Sequence, residues 1–464
     1  MKELQDLAQF VEQFKLEDVD SNVLATAKEC VLDTIGLALG ARNNNMFQGI
    51  KNVYLSYDGI DKDTTLIRSP LSYLWGSDDK TSLVNAVFLN SMLGHTLELD
   101  DVHVQSKTHI GTVVIPAAWS TATYLHKSGK EFLEAVICGY EVMSRIGMGF
   151  GVSSHRNKGW HVTGTAGTFG AAAACAKLLS FSTEQILSTF GLAGTQSCTT
   201  WAFLSDGATN KVLHPARAAA SGLESCLLTQ GGMRGSSEIL NAKDGGIFPM
   251  MSDAYDYSLV NKGLGKRFEI LNMDKKPYPC CRSTHCVIDG ILALREQNNI
   301  KADNIAKINV WTYLVGLKQC GLTESSKYPT IPTAAKFSTP YTAACAILNG
   351  KVDLNDFTSE NINNPDTQEM LRKVKVFEDK RFTDKYPEHW GCEVEIILKN
   401  GSSYKQEIKD ASGSVSSPLT HKQILLKLNS CCKEYASEWT NNIFEQIDNL
   451  ENVKELPSLI YNNK

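Results

Sequence analysis

Four short stretches of this chain concentrate the side chains that move protons or hold anions. The first is HTLELDDVH at 95–103, with His109 close behind: His95, Glu98, Asp100, Asp101, His103 and His109 place three histidines and three carboxylates within fifteen residues. Titratable groups gathered so densely are costly to bury, which suits general acid/base chemistry. Two other readings of the same residues stay open. One is a helix end capped by Asp100 or Asp101, with solvated histidines. The other is a metal site, since His95 and Glu98 lie three apart and share a helix face. No HExxH or comparable ligand spacing occurs, so the chain is read as metal-free.

The second stretch, GWHVTGTAGTFG at 159–170, has GxxGxxG spacing rather than GxGxxG, and an Ala-rich run follows it. Close helix packing explains these glycines better than a dinucleotide does. His161 stands just ahead of the predicted helix, where backbone N–H groups and an imidazole can hold a carboxylate. The third stretch, GATNKVLHPAR at 207–217, supplies Lys211 and Arg217 as positive charge, and Arg can fork onto a carboxylate. The fourth, KKPYPCCRSTH at 275–285, crowds Lys276, Tyr278, Cys281, Arg282 and His285 onto a backbone stiffened by two prolines. Cys281 by itself is not evidence of a nucleophile, which needs a base and an electropositive pocket.

These groups must be positioned mostly by helices. Apolar residues recur at three- and four-residue steps over 22–39, 83–93, 115–125, 132–148, 168–179, 182–193 and 216–228, so the first ~260 residues read as mainly α. The pattern changes after 263–266. Segments 306–313, 373–377 and 393–398 show β-branched alternation, and Asn400-Gly401 offers a hairpin turn into 404–408. Helical periods return at 422–428 and 443–450. A chain of 464 residues exceeds the usual single-core ceiling, so two domains are expected.

The formal charge is −5 and no basic run occurs, so nucleic acid is not an expected partner and any anion site must be local. Thirteen cysteines without a CxxC fit reduced thiols in a cytosol-like compartment. The N-terminus is charged and amphipathic rather than signal-like, and no stretch reaches the ~20 apolar residues of a membrane span, so a soluble, cytoplasmic protein is expected.

Taken together, the four stretches resemble the MmgE/PrpD family over nearly the whole chain. The family's HxLDxDDxH…HPG…PA block resembles 95–116, its G-x-H-x-T-G-x-x-G block resembles 159–167, and its KPYPxCRxxH block is present at 276–285. Further matches are AKFSTPY at 335–341, Gly413 and PLT at 418–420. The resemblance implies a homodimer whose large all-helical domain, residues 1–266 and 410–464, is built from both chain ends, with a smaller α/β lid, 267–409, between them. It implies no cofactor. It also implies a small polycarboxylate substrate, handled by a 2-methylcitrate dehydratase, a cis-aconitate decarboxylase or an iminodisuccinate epimerase.

By position, Glu98, His109, His161, Lys211 and Lys276 fall where the decarboxylase branch has its active-site Asp, His, His, Lys and Lys. Asp101, His103, Arg217, Tyr278, Cys281, Arg282 and His285 complete the candidate substrate contacts. Glu98 replaces the family's Asp, Cys281 stands where that branch carries a His, and Ile110 replaces the usual Pro. These departures put a hydro-lyase ahead of a decarboxylase. One of His109 and His161 would take the proton alpha to a carboxylate and the other would protonate the leaving hydroxyl. Lys211, Lys276 and Arg282 would stabilise the dianion, with the lid closing to bring Lys276 and Arg282 opposite the histidines. A non-catalytic carboxylate-binding protein is the alternative from another class.

Overall fold

The computed structural model describes residues 1–57 and 71–461. Several of its helices begin where side chains satisfy their first backbone N–H groups. Asp20 accepts from Asn22 and Val23 to start Ser21–Ala41, Ser82 accepts from Asn85 to start Leu83–Thr96, and Ser128 with Glu131 forms a reciprocal box at Gly129–Gly149. Three further helices, Gly111–Tyr124, Val162–Leu178 and Leu213–Gln230, begin earlier than the expected 115, 168 and 216. Their first turns contain Gly, Thr and Pro, which carry no apolar period but are compatible with a helix start. The difference matters chemically. It places His161 at the N-cap of one helix and His214 in the first turn of another.

Two compact units make up the chain: Met1–Trp201 with Val212–Met273 and His421–Lys464, and Ala202–Lys211 with Asp274–Thr420. The divisions fall at 273/274 and 420/421 rather than at 266/267 and 409/410, and the short segment carrying Lys211 goes with the second unit. The protein is mainly α with a small α+β portion.

In the first unit, Val162–Leu178 packs against Gly129–Gly149, Leu213–Gln230 and Gly111–Tyr124. Glycines allow this closeness. A Cβ on Gly139 would stand 2.9 Å from the Gly170 carbonyl oxygen, and one on Gly167 would stand 2.9 Å from the Ala218 Cβ. The GxxGxxG stretch is therefore a packing surface, as its spacing suggested. The helix His421–Cys431, in the C-terminal segment, returns onto Ser21–Ala41, where Lys427 meets Asp33 at 2.6 Å and donates to the Leu99 carbonyl at 3.1 Å. That bond ties the far end of the chain to the turn bearing Glu98 and Asp100.

A buried ionic network braces the same unit. Arg145, fully enclosed, donates to Glu141 on its own helix and to the carbonyls of Lys262 and Arg267. Glu141 in turn accepts from the Glu269 backbone N–H.

The second unit is built on a four-stranded sheet in the order Val374–Glu378, Ile305–Thr312, Cys392–Leu398, Ser403–Ile408. The first pair is parallel and the others antiparallel. The expected hairpin forms, with Gly401 at φ 89. Helices His285–Gln297 and Thr339–Asn349 pack on each other and on the sheet, burying Val287, Ile291, Ala343 and Ile347 with Ile308, Val310, Val394 and Ile396. Among the described residues, no helix is long and apolar enough to cross a membrane.

Candidate active site

The Leu83–Thr96 helix ends at Leu97, and Glu98 follows with φ 58 in the left-handed region. Gly or Asn usually occupies that position, because a larger side chain is strained there. The strain has a use. The chain doubles back, leaving Glu98 Oε2 3.8 Å from His95 Nε2 and setting Asp100 between two imidazoles. Asp100 Oδ1 lies 3.0 Å from His95 Nδ1, and Oδ2 lies 2.7 Å from His109 Nδ1. His109 Nδ1 is also 3.1 Å from the Asp101 carbonyl, and its backbone N–H donates to Thr163 Oγ1. With Nδ1 so engaged, proton transfer at His109 falls to Nε2. The Asp100 carboxylate would compensate the charge that this imidazole acquired on taking a second proton.

Beyond His109 the row of rings continues. The His95 and His109 centroids are 4.7 Å apart, those of His109 and His161 6.4 Å, and those of His161 and His214 5.0 Å. His161 and His214 face each other through Nδ1 atoms 2.7 Å apart. All four rings are buried, His109 being the most exposed at 8%. Three of them mark helix starts, just before Gly111, at the cap of Val162–Leu178 and in the first turn of Leu213–Gln230. The positive ends of three helix dipoles thus gather around the row, where they favour a bound carboxylate.

The ligand atoms of His95, Asp100 and His109 all lie within 4.8 Å of one another, a spacing that a cation can bridge. The 3.0 Å contact of His95 Nδ1 with Asp100 is, however, a hydrogen bond, and His109 Nδ1 is hydrogen-bonded to the Asp101 carbonyl, so both imidazole nitrogens are used within the chain. Activity is therefore expected to survive exhaustive dialysis against EDTA. Loss of turnover that a stoichiometric metal restores would reassign the cluster.

Several expected substrate contacts are already occupied within the chain. Asp101 accepts from the Gly111 N–H at 3.0 Å and from the Tyr140 hydroxyl at 2.9 Å, which fits a residue that fixes a helix start. His103 is enclosed, 3.3 Å from Glu269 and 2.8 Å from Ser106 Oγ. Burial pushes the Glu269 carboxyl upward, yet His103, Asn272 and Arg267 together hold it at about 2. Arg217 is half-exposed and engages Ser221 and Glu224 along its own helix, the surroundings of a surface ion pair. In the second unit, Arg282 meets Asp274 at 2.9 Å and the Ser412 carbonyl, His285 meets Arg282 and the Cys280 carbonyl, and the Tyr278 hydroxyl donates to Asp289. These groups stiffen the 275–285 loop. Cys281 is buried, and its backbone N–H donates to the Lys336 carbonyl. Lys276 is fully buried and Lys211 nearly so, the latter with Nζ 5.1 Å from the centre of the Phe337 ring. A buried ammonium needs compensating anions.

Asp101 sets a pH dependence. Burial, and then the charges of Asp100 and Asp33, raise its carboxyl from 3.8 to about 7. The folded protein keeps a proton there that the unfolded chain releases near pH 4. This contribution to stability is present at low pH and is lost as pH rises from about 4 to about 7. Asp101→Asn, which keeps an acceptor for the Gly111 N–H, is expected to raise the melting temperature at pH 8 and leave it nearly unchanged at pH 4. A uniform drop at both pH values would show that the ionised carboxylate is required for folding.

Two contributors were not selected by the sequence reading. Asp100 was read only as a possible helix cap within the first motif, and His214 lies in the third motif beside Lys211. The available signal for His214 was its His-Pro position at a helix start.

The N-terminal domain model of the MmgE/PrpD family matches residues 5–259, and the C-terminal domain model matches 278–452. The chain is similar to a cis-aconitate decarboxylase of Aspergillus terreus, 25% identical over 452 residues that cover 93% of this chain and 90% of the relative. A cis-aconitate decarboxylase of Mus musculus is 23% identical, with 98% and 93% covered. A mitochondrial 2-methylcitrate dehydratase of Yarrowia lipolytica is 22% identical, with 91% and 80% covered. Both kinds of relative are lyases. With family models matching most of its length in order, and the histidine motifs folded into one buried row, this chain belongs to the MmgE/PrpD family.

Proposed function

We propose that the protein is a cofactor-independent lyase that works by proton transfer beside a carboxylate, and that it dehydrates a small polycarboxylate resembling 2-methylcitrate or citrate. The observation that carries this reading is a pair of differently supported imidazoles. His109 is backed by Asp100 and His161 by His214, each at 2.7 Å, with the two ring centroids 6.4 Å apart. Loss of water needs one group to take the alpha proton and another to protonate the departing hydroxyl. Removal of the proton leaves an enediolate-like dianion that fixed positive charge stabilises. We assign that charge to Lys211 and Lys276 on the strength of their sequence motifs.

The names of the Aspergillus and mouse relatives favour a second reading, decarboxylation of a cis-aconitate-like substrate. In that case one imidazole would deliver a proton to carbon as CO₂ leaves. The test is incubation of the purified protein with 2-methylcitrate, citrate, cis-aconitate and iminodisuccinate, followed by NMR and polarimetry. Water loss from either of the first two supports dehydration. Release of CO₂ from cis-aconitate selects the second reading, and loss of optical activity from iminodisuccinate selects an epimerase. Saturable binding without turnover of any of them identifies a carboxylate-binding protein.

A further inference from the structure

We propose that His214 is a positioning residue that sets the tautomer of His161 and so makes Nε2 of His161 the proton acceptor. The role of His161 and the choice of which ring donates rest on the lyase reading above; the sharing of one proton between the two rings does not. Two imidazole nitrogens 2.7 Å apart must share one proton, because facing lone pairs or facing N–H groups repel. Both rings are buried, His161 at 1% and His214 at 3% exposure, so water does not relieve a mismatch. One Nδ1 therefore donates and the other accepts.

The surroundings leave little freedom. His214 sits in the first turn of Leu213–Gln230 and is followed by Pro215, whose fixed φ suits that turn. Trp201 covers His161 at a centroid distance of 4.5 Å, and it is anchored by its backbone N–H to the Gly159 carbonyl. His161 is itself held by its N–H to the Thr199 carbonyl and by its carbonyl to the Thr199 hydroxyl. The ring lies between Trp201 and His214, with Nδ1 committed to His214.

The position of the shared proton decides what His161 can do. If His161 donates, its Nε2 holds a lone pair and acts as a base. If His214 donates, Nε2 of His161 carries the proton and cannot accept one. The first arrangement is assigned here, because it also serves the charged state. When the substrate C–H bond breaks, its proton goes to Nε2 and the electron pair stays on the substrate carbon. The resulting imidazolium then keeps a charge-assisted bond from Nδ1–H to neutral His214.

The experiment uses full-length protein labelled with ¹⁵N at histidine, together with the variants His214→Leu and His214→Asn. In the wild type, the His161 ring resonances, identified by their loss in His161→Gln, are expected to report Nδ1–H with Nε2 unprotonated. His214→Leu removes the acceptor, and kcat is expected to fall by about 10²-fold with KM changed less than about threefold. Asn can place an oxygen near the former Nδ1, so His214→Asn should recover kcat to within about fivefold of wild type and restore the Nδ1–H signal. Equal impairment of a folded Leu variant and the Asn variant would reduce His214 to a space filler and overturn the proposal. Wild-type His161 found in the Nε2–H form would overturn it too, even if the Leu variant failed to fold. Wild-type protein that turns over no polycarboxylate would sink the lyase reading alone, because the ring spectra still decide the tautomer.

Discussion

Turnover is expected to fall by about 10²–10⁴-fold when His109 is replaced by Gln, with KM for the polycarboxylate changed by less than about threefold. Gln retains a polar group of similar reach but cannot carry a proton back and forth. Asp100, 2.7 Å from Nδ1, would stabilise the charge that the ring takes up on accepting a proton. His161→Gln is expected to behave in the same way. Lys211→Met should differ, raising KM and lowering kcat together, since its ammonium would hold a substrate carboxylate in the ground state and stabilise the added charge of the enediolate more strongly. Steady-state kinetics and direct binding by calorimetry distinguish these outcomes. If His109→Gln retained near-normal kcat at saturation while binding weakened, His109 would be an anion contact, and the proton donor would have to be sought elsewhere.

The second large effect is on stability. Replacing Arg145 by Leu is expected to cost about 3–5 kcal/mol in urea unfolding, because it strands Glu141 and the carbonyls of Lys262 and Arg267 in a dry interior. Burial already presses the Glu141 carboxyl up to about 7 against the pull of Arg145. The double variant Arg145→Leu with Glu141→Leu should regain part of the loss, since it removes both charges rather than one. A loss below about 1 kcal/mol for the single variant would mean that the network contributes little beyond its packing.

Helical periodicity, capping residues and turn chemistry are local, and they marked the Leu83–Thr96, Gly129–Gly149 and Thr183–Thr195 helices and the Asn400-Gly401 hairpin from the residues alone. The spacing of Gly164, Gly167 and Gly170 likewise identified a packing face before any partner was known. The motif residues identified the family, and they named His109 and His161 as members of one constellation.

Partnership was not legible. Asp101, His103, Arg217, Tyr278, Arg282 and His285 carry the right chemistry for a substrate contact, and their types alone do not distinguish a group facing a ligand from one facing its own chain. Arg145 and Glu141, four apart on a helix, have the spacing of an ordinary surface pair, yet the fold encloses them and brings Glu269 to Glu141 across 128 residues. His214 meets His161 across 53 residues. Such meetings depend on which helices pack together, and that is settled by burial of apolar surface summed over the whole unit rather than by any one segment. The sequence by itself thus determined the element types, the family and the inventory of acid/base groups. Only the tertiary structure decided which groups are paired, because a charge buried beside its counterpart and a charge free to meet a ligand differ in their neighbours, not in their residue type.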